Sequence, residues 1–293
     1  MIYFPFMNGT NLGNWMFQYA AALSLGQPVK GFLECPDVKS KVLGYRDIFG
    51  GIELVESLPK DVREYGQHCF GYSPLPERLH SGDWLIRGYY QSEKFFNKPL
   101  VRKMFAPSDA RVDYLQGKYG HWLSRENVTG ISVRRGDYFK HLYNHPFVST
   151  RYLTQAVYKF PSCDSFIVCS DDLNWCRKFF VRRFPEKYFL FVENESVLDQ
   201  LYIHTLCRHN IISNSSFSWW GAWLNSNPDK RVIAPSHWFG FAKKLDARDV
   251  YWEGMEIIEN SYGLIDGAMA YGQFFHKKIR TRGSTLKHWI FRK

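Results

Sequence analysis

Two adjacent arginines at the end of a strand pattern are the first residues of this chain whose types and spacing suggest chemistry. The stretch ISVRRGDYF places Arg134 and Arg135 directly after residues that suit a buried strand. A guanidinium group binds phosphate oxygens through two parallel hydrogen bonds, which suits a diphosphate better than a lysine does. Because successive strand residues face opposite ways, one arginine is expected to face a cleft and the other to pair with a structural carboxylate. Residue type alone favours surface salt bridges by both arginines.

Two further polar clusters follow predicted strands. The stretch SFIVCSDD ends in Asp171 and Asp172, whose carboxylates could hold a metal, accept hydrogen bonds from a guanine edge, or cap the next helix. Where another strand gives way to a helix, backbone N–H groups and the helix dipole favour an anion. Hydroxyl and amide side chains gather at that helix start: Ser213, Asn214, Ser215, Ser216 and Ser218. Together these clusters predict a nucleotide-diphosphate site, and the lack of a Walker lysine motif or an Asp-X-Asp triplet argues against phosphate binding through a metal.

Such clusters need a fold that brings the ends of strands together. From Gly130 onward, apolar runs alternate with helical patterns, as in βαβ units that form a parallel sheet. We therefore predict a doubly wound α/β domain over residues 129–262 and a less regular α/β domain over residues 1–128. Ligands bind such sheets at the carboxyl ends of the strands, where all of the clusters lie. The first domain opens with a strand, a loop holding Gly9 and Gly13, and a helix, an arrangement that resembles a phosphate-binding turn.

The local structure is less clear in other parts of the chain. Residues 102–125 are predicted to form one helix, and residues 211–216 a short strand. The tryptophans that follow, Trp219, Trp220 and Trp223, are expected to pack the helix on which they lie. Residues 31–76 contain scattered Gly and Pro with little period, so no element is assigned there.

The composition is that of an ordinary globular protein, but the charge is concentrated at one end. The 293 residues include 38 Lys and Arg against 28 Asp and Glu, a formal net charge of +10. We assign residues 263–293 as a basic C-terminal tail, because residues 276–293 hold seven cations, no acid, and the apolar run Trp289–Phe291. This tail is interpreted either as a contact with a membrane surface or acidic partner, or as solvated chain. A nucleic-acid binder would carry a basic stripe along the fold instead, so no nucleic-acid partner is predicted.

The cysteines and the hydropathy of the sequence indicate the cellular compartment in which the protein is expected. The six cysteines show no CxxC pair and no zinc-ligand spacing, which favours a reducing compartment. The N-terminal strand lacks the basic flank and cleavage site of a signal peptide, and no window approaches the roughly 18 apolar residues of a membrane-spanning helix. We therefore expect a cytoplasmic protein, with peripheral contact at the inner face of the membrane if the tail binds lipid.

Six sequence blocks, in order, resemble the motifs of the bacterial α-1,2-fucosyltransferases, glycosyltransferase family eleven. They are NLGNWMFQYA, GYYQSEKFF, VRRGDY, CSDD, NSSFSWWGAWL and VIAPSHWF, and they span roughly residues 8–239. The resemblance implies a GT-B-like fold, in which two Rossmann-type α/β domains face each other across a cleft. It also implies an inverting enzyme that moves L-fucose from GDP-β-L-fucose to O-2 of a terminal galactose in a surface glycan. The family needs no metal and no cofactor, since GDP-fucose is a substrate.

The resemblance assigns donor-side roles to individual residues. Arg134 would hold the β-phosphate of the donor, and Ser132 stands where the family usually has His. Asp171 would read guanine, with Asp172 beside it. The remaining donor-binding positions are Gly13, Asn14, Ser216, Phe217 and Ser218.

The same resemblance indicates the acceptor side and the catalytic groups. Asn11, Gln91 and Trp15 are placed on the acceptor side, and Trp15 stands where the family usually has Gln. Charge grows on the diphosphate as the fucose bond breaks, so Arg134 and the serine-rich helix start would stabilise the leaving group without a metal. Asp137, on the turn after the arginines, is the candidate general base, and its alternative role is to hold Arg135 or the turn.

Other functions remain open on the sequence. A fucosyltransferase of different acceptor or linkage specificity would keep the same donor site and fold. A non-catalytic glycan-binding protein would explain the 10 tryptophans but not the predicted diphosphate site. A nucleic-acid binder would explain the high pI but not the concentration of charge in the tail.

Overall fold

Two parallel β-sheets with helices packed around them form the protein, in a computed structural model that describes residues 1–140, 142–264 and 267–277. The strands are β1 Ile2–Phe6, β2 Val29–Leu33, β3 Glu53–Val55, β4 Arg63–Gly66, β5 Trp84–Arg87, β6 Thr129–Val133, β7 Ser165–Ser170, β8 Tyr188–Phe191, β9 His209–Ile211, β10 Val232–Pro235 and β11 Met255–Ile258. The helices are α1 Leu12–Leu23, α2 Lys39–Leu43, α3 Arg46–Phe49, α4 Lys98–Met104, α5 Asp109–Leu123, α6 Thr150–Tyr158, α7 Leu173–Arg183, α8 Val197–Leu206 and α9 Ser216–Leu224.

The first sheet has the strand order β3-β2-β1-β5-β4, with every neighbouring pair parallel. Its central strand β1, IYFPF, is buried at all five positions, as expected for a parallel strand covered on both faces. Helix α1 follows β1 and is rich in Ala and Leu, which favour helix. It ends shortly before Gly26, whose φ of +71° suits a glycine.

The second sheet has the order β11-β10-β9-β6-β7-β8, again entirely parallel. The chain leaves β6 toward β7 and β8, and then returns to place β9 on the other side of β6. This reversal opens a crevice at the carboxyl ends of β6 and β9, where ligands bind in doubly wound sheets. The first sheet reverses in the same way around β1, which lies between β2 and β5.

The two sheets share one aromatic core. Trp219, Trp220 and Trp223 on α9 are fully buried, as the sequence predicts. The ring centre of Phe17, on α1, lies 4.6 Å from Trp219 and 4.7 Å from Trp220. Phe96, in the segment before α4, stacks on Trp220 at 5.5 Å. Helix α9 of the second sheet is therefore held directly against α1 of the first.

The predicted GT-B-like α/β architecture is confirmed, while several local predictions need correction. The single helix predicted over residues 102–125 is two helices, α4 and α5, because Pro107 lies between them and cannot supply a helical N–H. The strand predicted over residues 211–216 ends at Ile211, where the chain turns toward α9. The unassigned residues 31–76 contain the end of β2, the short helices α2 and α3, and strands β3 and β4.

The domain limits and the tail stay predictions. The sheets lie within residues 2–87 and 129–258, but the contact between α1 and α9 gives no sharp boundary at residue 128. Residues 267–277 are helical, and the rest of the basic tail, residues 278–293, lies outside the described residues. Within the described part of the chain, no helix combines the length and the apolar character needed to cross a membrane.

Candidate functional site

A cavity of about 420 Å³ lies where the carboxyl ends of the two sheets meet. The loops after β1, β5, β6, β9 and β10 all contribute to its lining. The structure brings seven of the predicted site residues to this cavity: Asn11, Gly13, Asn14, Gln91, Arg134, Ser216 and Phe217. Residues from both sheets therefore form one crevice, as expected for the two switch points of this fold.

The two arginines after β6 face different surroundings. The Arg134 side chain is about one-third exposed and lines the cavity, with its Nε 3.1 Å from Asp171 Oδ2. The Arg135 side chain is buried, and its guanidinium carbon lies 3.8 Å from the Trp175 ring centre and 4.6 Å from that of Phe147. Arg134 thus lines the cavity, whereas Arg135 is part of the packing of the second sheet.

The acidic residues after β7 hold these arginines in place. Besides its contact with Arg134, Asp171 accepts a 2.8 Å hydrogen bond at Oδ1 from the backbone N–H of Arg135. Asp172 Oδ1 accepts a hydrogen bond from the backbone N–H of Trp175 and so caps α7, while its Oδ2 lies 3.5 Å from Arg135 Nε. Neither carboxylate lines the cavity, so guanine recognition by Asp171 stays a prediction that requires its present contacts to rearrange.

Two helix starts converge on the cavity. Asn11 and Ser215 are the N-cap residues of α1 and α9, and neither side chain caps its helix. The starts are so close that a Cβ atom at Gly13 would lie 2.6 Å from the backbone nitrogen of Phe217. The indole N–H of Trp220 also donates to the Gly13 carbonyl at 3.0 Å. Because unpaired N–H groups and the positive dipole end lie at each helix start, their convergence favours an anion in the cavity.

A chain of hydrogen bonds crosses the floor of the cavity. The Gln91 Nε2 group donates to Asn14 Oδ1 at 2.7 Å, and the indole N–H of Trp238 donates to Gln91 Oε1 at 3.3 Å. Since the Asn14 oxygen is already an acceptor, its amide N–H₂ group is the part that remains to meet a ligand. The buried Gln91 therefore links α1 to the loop after β10, and its acceptor-side role stays a prediction.

Besides the two carboxylates, three predicted site residues do not line the cavity. Trp15 is fully buried, and its ring meets Phe6 edge-on at 5.1 Å. Ser132 is buried within β6. The Ser218 hydroxyl is buried inside the turn, 2.9 Å from the carbonyl oxygens of both Ser213 and Ser215, either of which can accept its hydrogen bond. The donor and acceptor roles of these three residues stay predictions.

The prediction for Asp137 is not addressed by the structure. The backbone of residues 137–140 forms a short 3-10 turn directly after Arg135. The Asp137 side chain lies outside the described part of the structure, so its role as a base stays a prediction.

Sequence reasoning missed most of the aromatic wall and one cation. The lining includes Tyr45, Tyr89, Tyr138, His145, Trp238, Phe239 and Lys243. Trp238 and Phe239 belong to the block VIAPSHWF, whose position after a strand was the available signal. The described lining residues include two cationic side chains of the Lys and Arg type, Arg134 and Lys243. No Asp or Glu is among these described lining residues. The described residues also contain no cluster of three or more His, Cys, Asp or Glu side chains placed to hold a metal ion.

The fold and site define a GT-B-like α/β protein with a crevice between two parallel sheets. The model of glycosyl transferase family 11 matches residues 83–256, which is more than half of the chain. The chain therefore belongs to glycosyltransferase family 11.

Curated relatives match parts of the chain. An α-1,2-colitosyltransferase of Escherichia coli is 30% identical over 52% of this chain and 55% of its own length. The O-antigen biosynthesis glycosyltransferase WbnK of Escherichia coli is 34% identical over 39% of each chain. The galactoside 2-α-L-fucosyltransferase Sec1 of Mus musculus is 25% identical over 50% of this chain and 47% of its own length. The matched part thus spans about half, or less, of these relatives.

Solved structures of similar overall fold are more distant in sequence. The α-1,6-fucosyltransferase NodZ soaked with GDP-fucose is 12% identical, covers 78% of this chain and 96% of its own, and has a TM-score of 0.49. POFUT1 in complex with GDP is 12% identical, covers 80% of this chain and 97% of its own, and has a TM-score of 0.48.

Proposed function

We propose that the protein is an inverting glycosyltransferase that moves L-fucose from GDP-β-L-fucose to O-2 of a terminal galactose in a glycan. The observation that carries this proposal is the convergence of two uncapped helix starts and Arg134 on one cavity. Such a site suits a diphosphate, whose charge a single helix start would balance only in part. Family membership supports sugar transfer, and the names of two relatives support a 1,2-linkage.

The cavity residues would act mainly on the leaving group. The bond between C1 of fucose and the β-phosphate oxygen breaks, and its electron pair passes to the diphosphate. The acceptor oxygen forms the new bond at C1 from the opposite face, and its proton passes to a base, for which Asp137 is our candidate. Arg134 and the N–H groups of α1 and α9 stabilise the charge that develops on the diphosphate, an effect of roughly 3 kcal/mol for one such contact.

We propose that this stabilisation needs no metal ion and no cofactor. Two backbone N–H clusters and a guanidinium group supply the positive potential that a divalent cation provides in other transferases. The aromatic lining, with Tyr89 about half exposed, offers flat apolar faces that suit the acceptor sugar.

A second donor is worth testing because a relative in Escherichia coli is described as an α-1,2-colitosyltransferase. Colitose is the 3-deoxy counterpart of L-fucose, so the two donors share a phosphate site and differ in one hydroxyl. A site built to hydrogen-bond that hydroxyl would discriminate strongly, whereas an apolar one would not.

The test is incubation with GDP-fucose, and in parallel with a colitose donor, across a panel of galactose-terminated acceptors, followed by linkage analysis. We expect an α-1,2-fucoside as the main product. Arg134→Lys should lower turnover by about a hundredfold or more, because a point charge cannot replace the guanidinium fork. Arg177→Lys is the matched control, since Arg177 also pairs with a carboxylate, at 2.5 Å, but does not line the cavity. Normal activity of Arg134→Lys, or no transfer from either donor, would contradict the proposal.

A further inference from the structure

A second cationic side chain, Lys243, lines the cavity and has no role in the function proposed above. Arg134 is already in contact with Asp171, so part of its charge is balanced before a ligand binds. A nucleoside diphosphate carries more than one negative charge, which increases when the sugar bond breaks. Lys243 is the other Lys or Arg among the described lining residues. It lies after β10, four residues beyond the block VIAPSHWF, and no donor role was assigned to it from the sequence.

The backbone holds the segment that carries Lys243 against the turn after β6. The Gly240 N–H donates to the Asn144 carbonyl at 2.8 Å, and the Ala242 N–H donates to the Tyr143 carbonyl at 2.9 Å. A Cβ atom at Gly240 would lie only 2.4 Å from the Tyr143 oxygen, so this approach depends on glycine. Lys243 therefore lies on a turn that backbone hydrogen bonds hold against the segment after β6.

The side chain of Lys243 also has a defined position. Its Nζ lies 3.2 Å from His145 Nε2 and 5.0 Å from the ring centre of Phe239. His145 stacks on Tyr138 at 5.1 Å, and the Arg134 guanidinium carbon lies 5.9 Å from the same Tyr138 ring. The two cations thus flank one aromatic stack on the wall of the cavity. Burial lowers the pKa of Lys243, which is the usual consequence of removing an ammonium group from water.

The contact with His145 holds the Lys243 ammonium group in one position. When Lys243 donates to Nε2, the imidazole acts as a neutral acceptor, so it does not cancel the charge of the lysine. One N–H of the ammonium is used by this bond, and two remain for a ligand. A lysine in ordinary solvated surroundings would have neither the half-buried position nor the fixed partner.

We propose that Lys243 binds the β-phosphate of the donor and stabilises the leaving diphosphate, and that His145 is a positioning residue for it. This inference rests on the proposed function, since it names a further residue of the same site. Lys243 takes no part in proton transfer. It balances the charge that Arg134, held by Asp171, leaves uncompensated.

Binding of GDP and GMP separates a β-phosphate contact from a general change of the site, because GMP lacks that phosphate. Calorimetric titration should show that Lys243→Met weakens GDP binding by about tenfold to a hundredfold. GMP binding and the urea unfolding midpoint should stay nearly unchanged. Lys243→Arg should restore part of the GDP preference, and His145→Gln should reduce it to a smaller extent. Lys244→Met is the matched control, because Lys244 is the exposed neighbour and does not line the cavity.

Two outcomes would overturn the inference and leave the proposed function standing. One is GDP binding by Lys243→Met that equals that of the wild-type protein. The other is an equal loss of GDP and GMP binding, which would indicate a structural role for the lysine. A wild-type protein that binds GDP no better than GMP would overturn the proposed function and this inference together.

Discussion

Gly13 is where a single added methyl group should test the arrangement of the two helix starts. A Cβ atom there would lie 2.6 Å from the Phe217 nitrogen, 2.6 Å from the Ser216 carbonyl carbon and 2.7 Å from the Ser216 hydroxyl. Non-bonded contacts of this kind are normally near 3.5 Å, so α1 and α9 must separate by about 1 Å. Two of the three atoms belong to the backbone and cannot rotate away. Gly13→Ala therefore moves one side of the anion site relative to the other.

The expected loss is larger for transfer than for stability. A displacement of about 1 Å in a reacting geometry costs roughly a hundredfold in rate. Overpacking of the same size costs about 1–3 kcal/mol of unfolding free energy, part of which is offset by the better helix propensity of Ala. Initial rates with GDP-fucose, GDP titration and urea unfolding measure the three quantities separately.

The control for this experiment is Gly117→Ala on α5. Gly117 has no atom within 4 Å of an added Cβ, so the change should leave transfer unaltered and raise stability by up to about 1 kcal/mol. If Gly13→Ala bound GDP and transferred fucose like the wild-type protein, the close approach of the two helices would have no part in the site.

Four other predictions concern a buried histidine, the stacked arginine, metal independence and the basic tail. Burial lowers the pKa of His204 to about 4. Between about pH 6.5 and 4 the unfolded chain therefore binds a proton that the folded chain does not, and stability falls as the pH falls, by about 2 kcal/mol at pH 5. Urea unfolding near pH 7.5 and pH 5 should show this loss, and His204→Leu should reduce it; an unchanged pH dependence would contradict the assignment. Arg135→Leu should cost about 2 kcal/mol of unfolding free energy, because it removes the guanidinium stacked on Trp175; a loss below about 0.5 kcal/mol in urea unfolding would refute the packing role. Transfer should survive EDTA, and deletion of residues 276–293 should spare activity on a soluble disaccharide while weakening binding to anionic vesicles; loss of activity in EDTA, or unaltered vesicle binding, would refute the respective expectation.

The fold could be predicted from the sequence wherever apolar strand patterns alternate regularly with helical patterns. Parallel strands covered on both faces are continuous apolar runs, so β1, β6 and β7 are evident in the sequence, and their alternation with helices indicates the second sheet. The same reasoning failed over residues 31–76, because β3 and β4 are short and partly exposed and lack a period. It also missed the break at Pro107, where the helical pattern continues on both sides.

The site could be predicted only in part, for a related reason. The pair Arg134 and Arg135 was identified because cations directly after a buried strand are an unusual local pattern, and the family resemblance selected Arg134. Lys243 was not, because its loop shows no such pattern and reaches the cavity through backbone contacts with Tyr143 and Asn144. The full burial of Trp15 was not predicted, because its position in a motif says nothing about the direction of its side chain.

The sequence by itself determined the class of fold, the order of the motifs and the residue types suited to a diphosphate, since these depend on local period and on the chemistry of single side chains. Only the tertiary structure decided which of two adjacent arginines lines the cavity, which carboxylates are already paired, and which loops meet. Those outcomes depend on the crossover of strands in each sheet and on the packing of α1 against α9, and both are contacts between residues far apart in the chain.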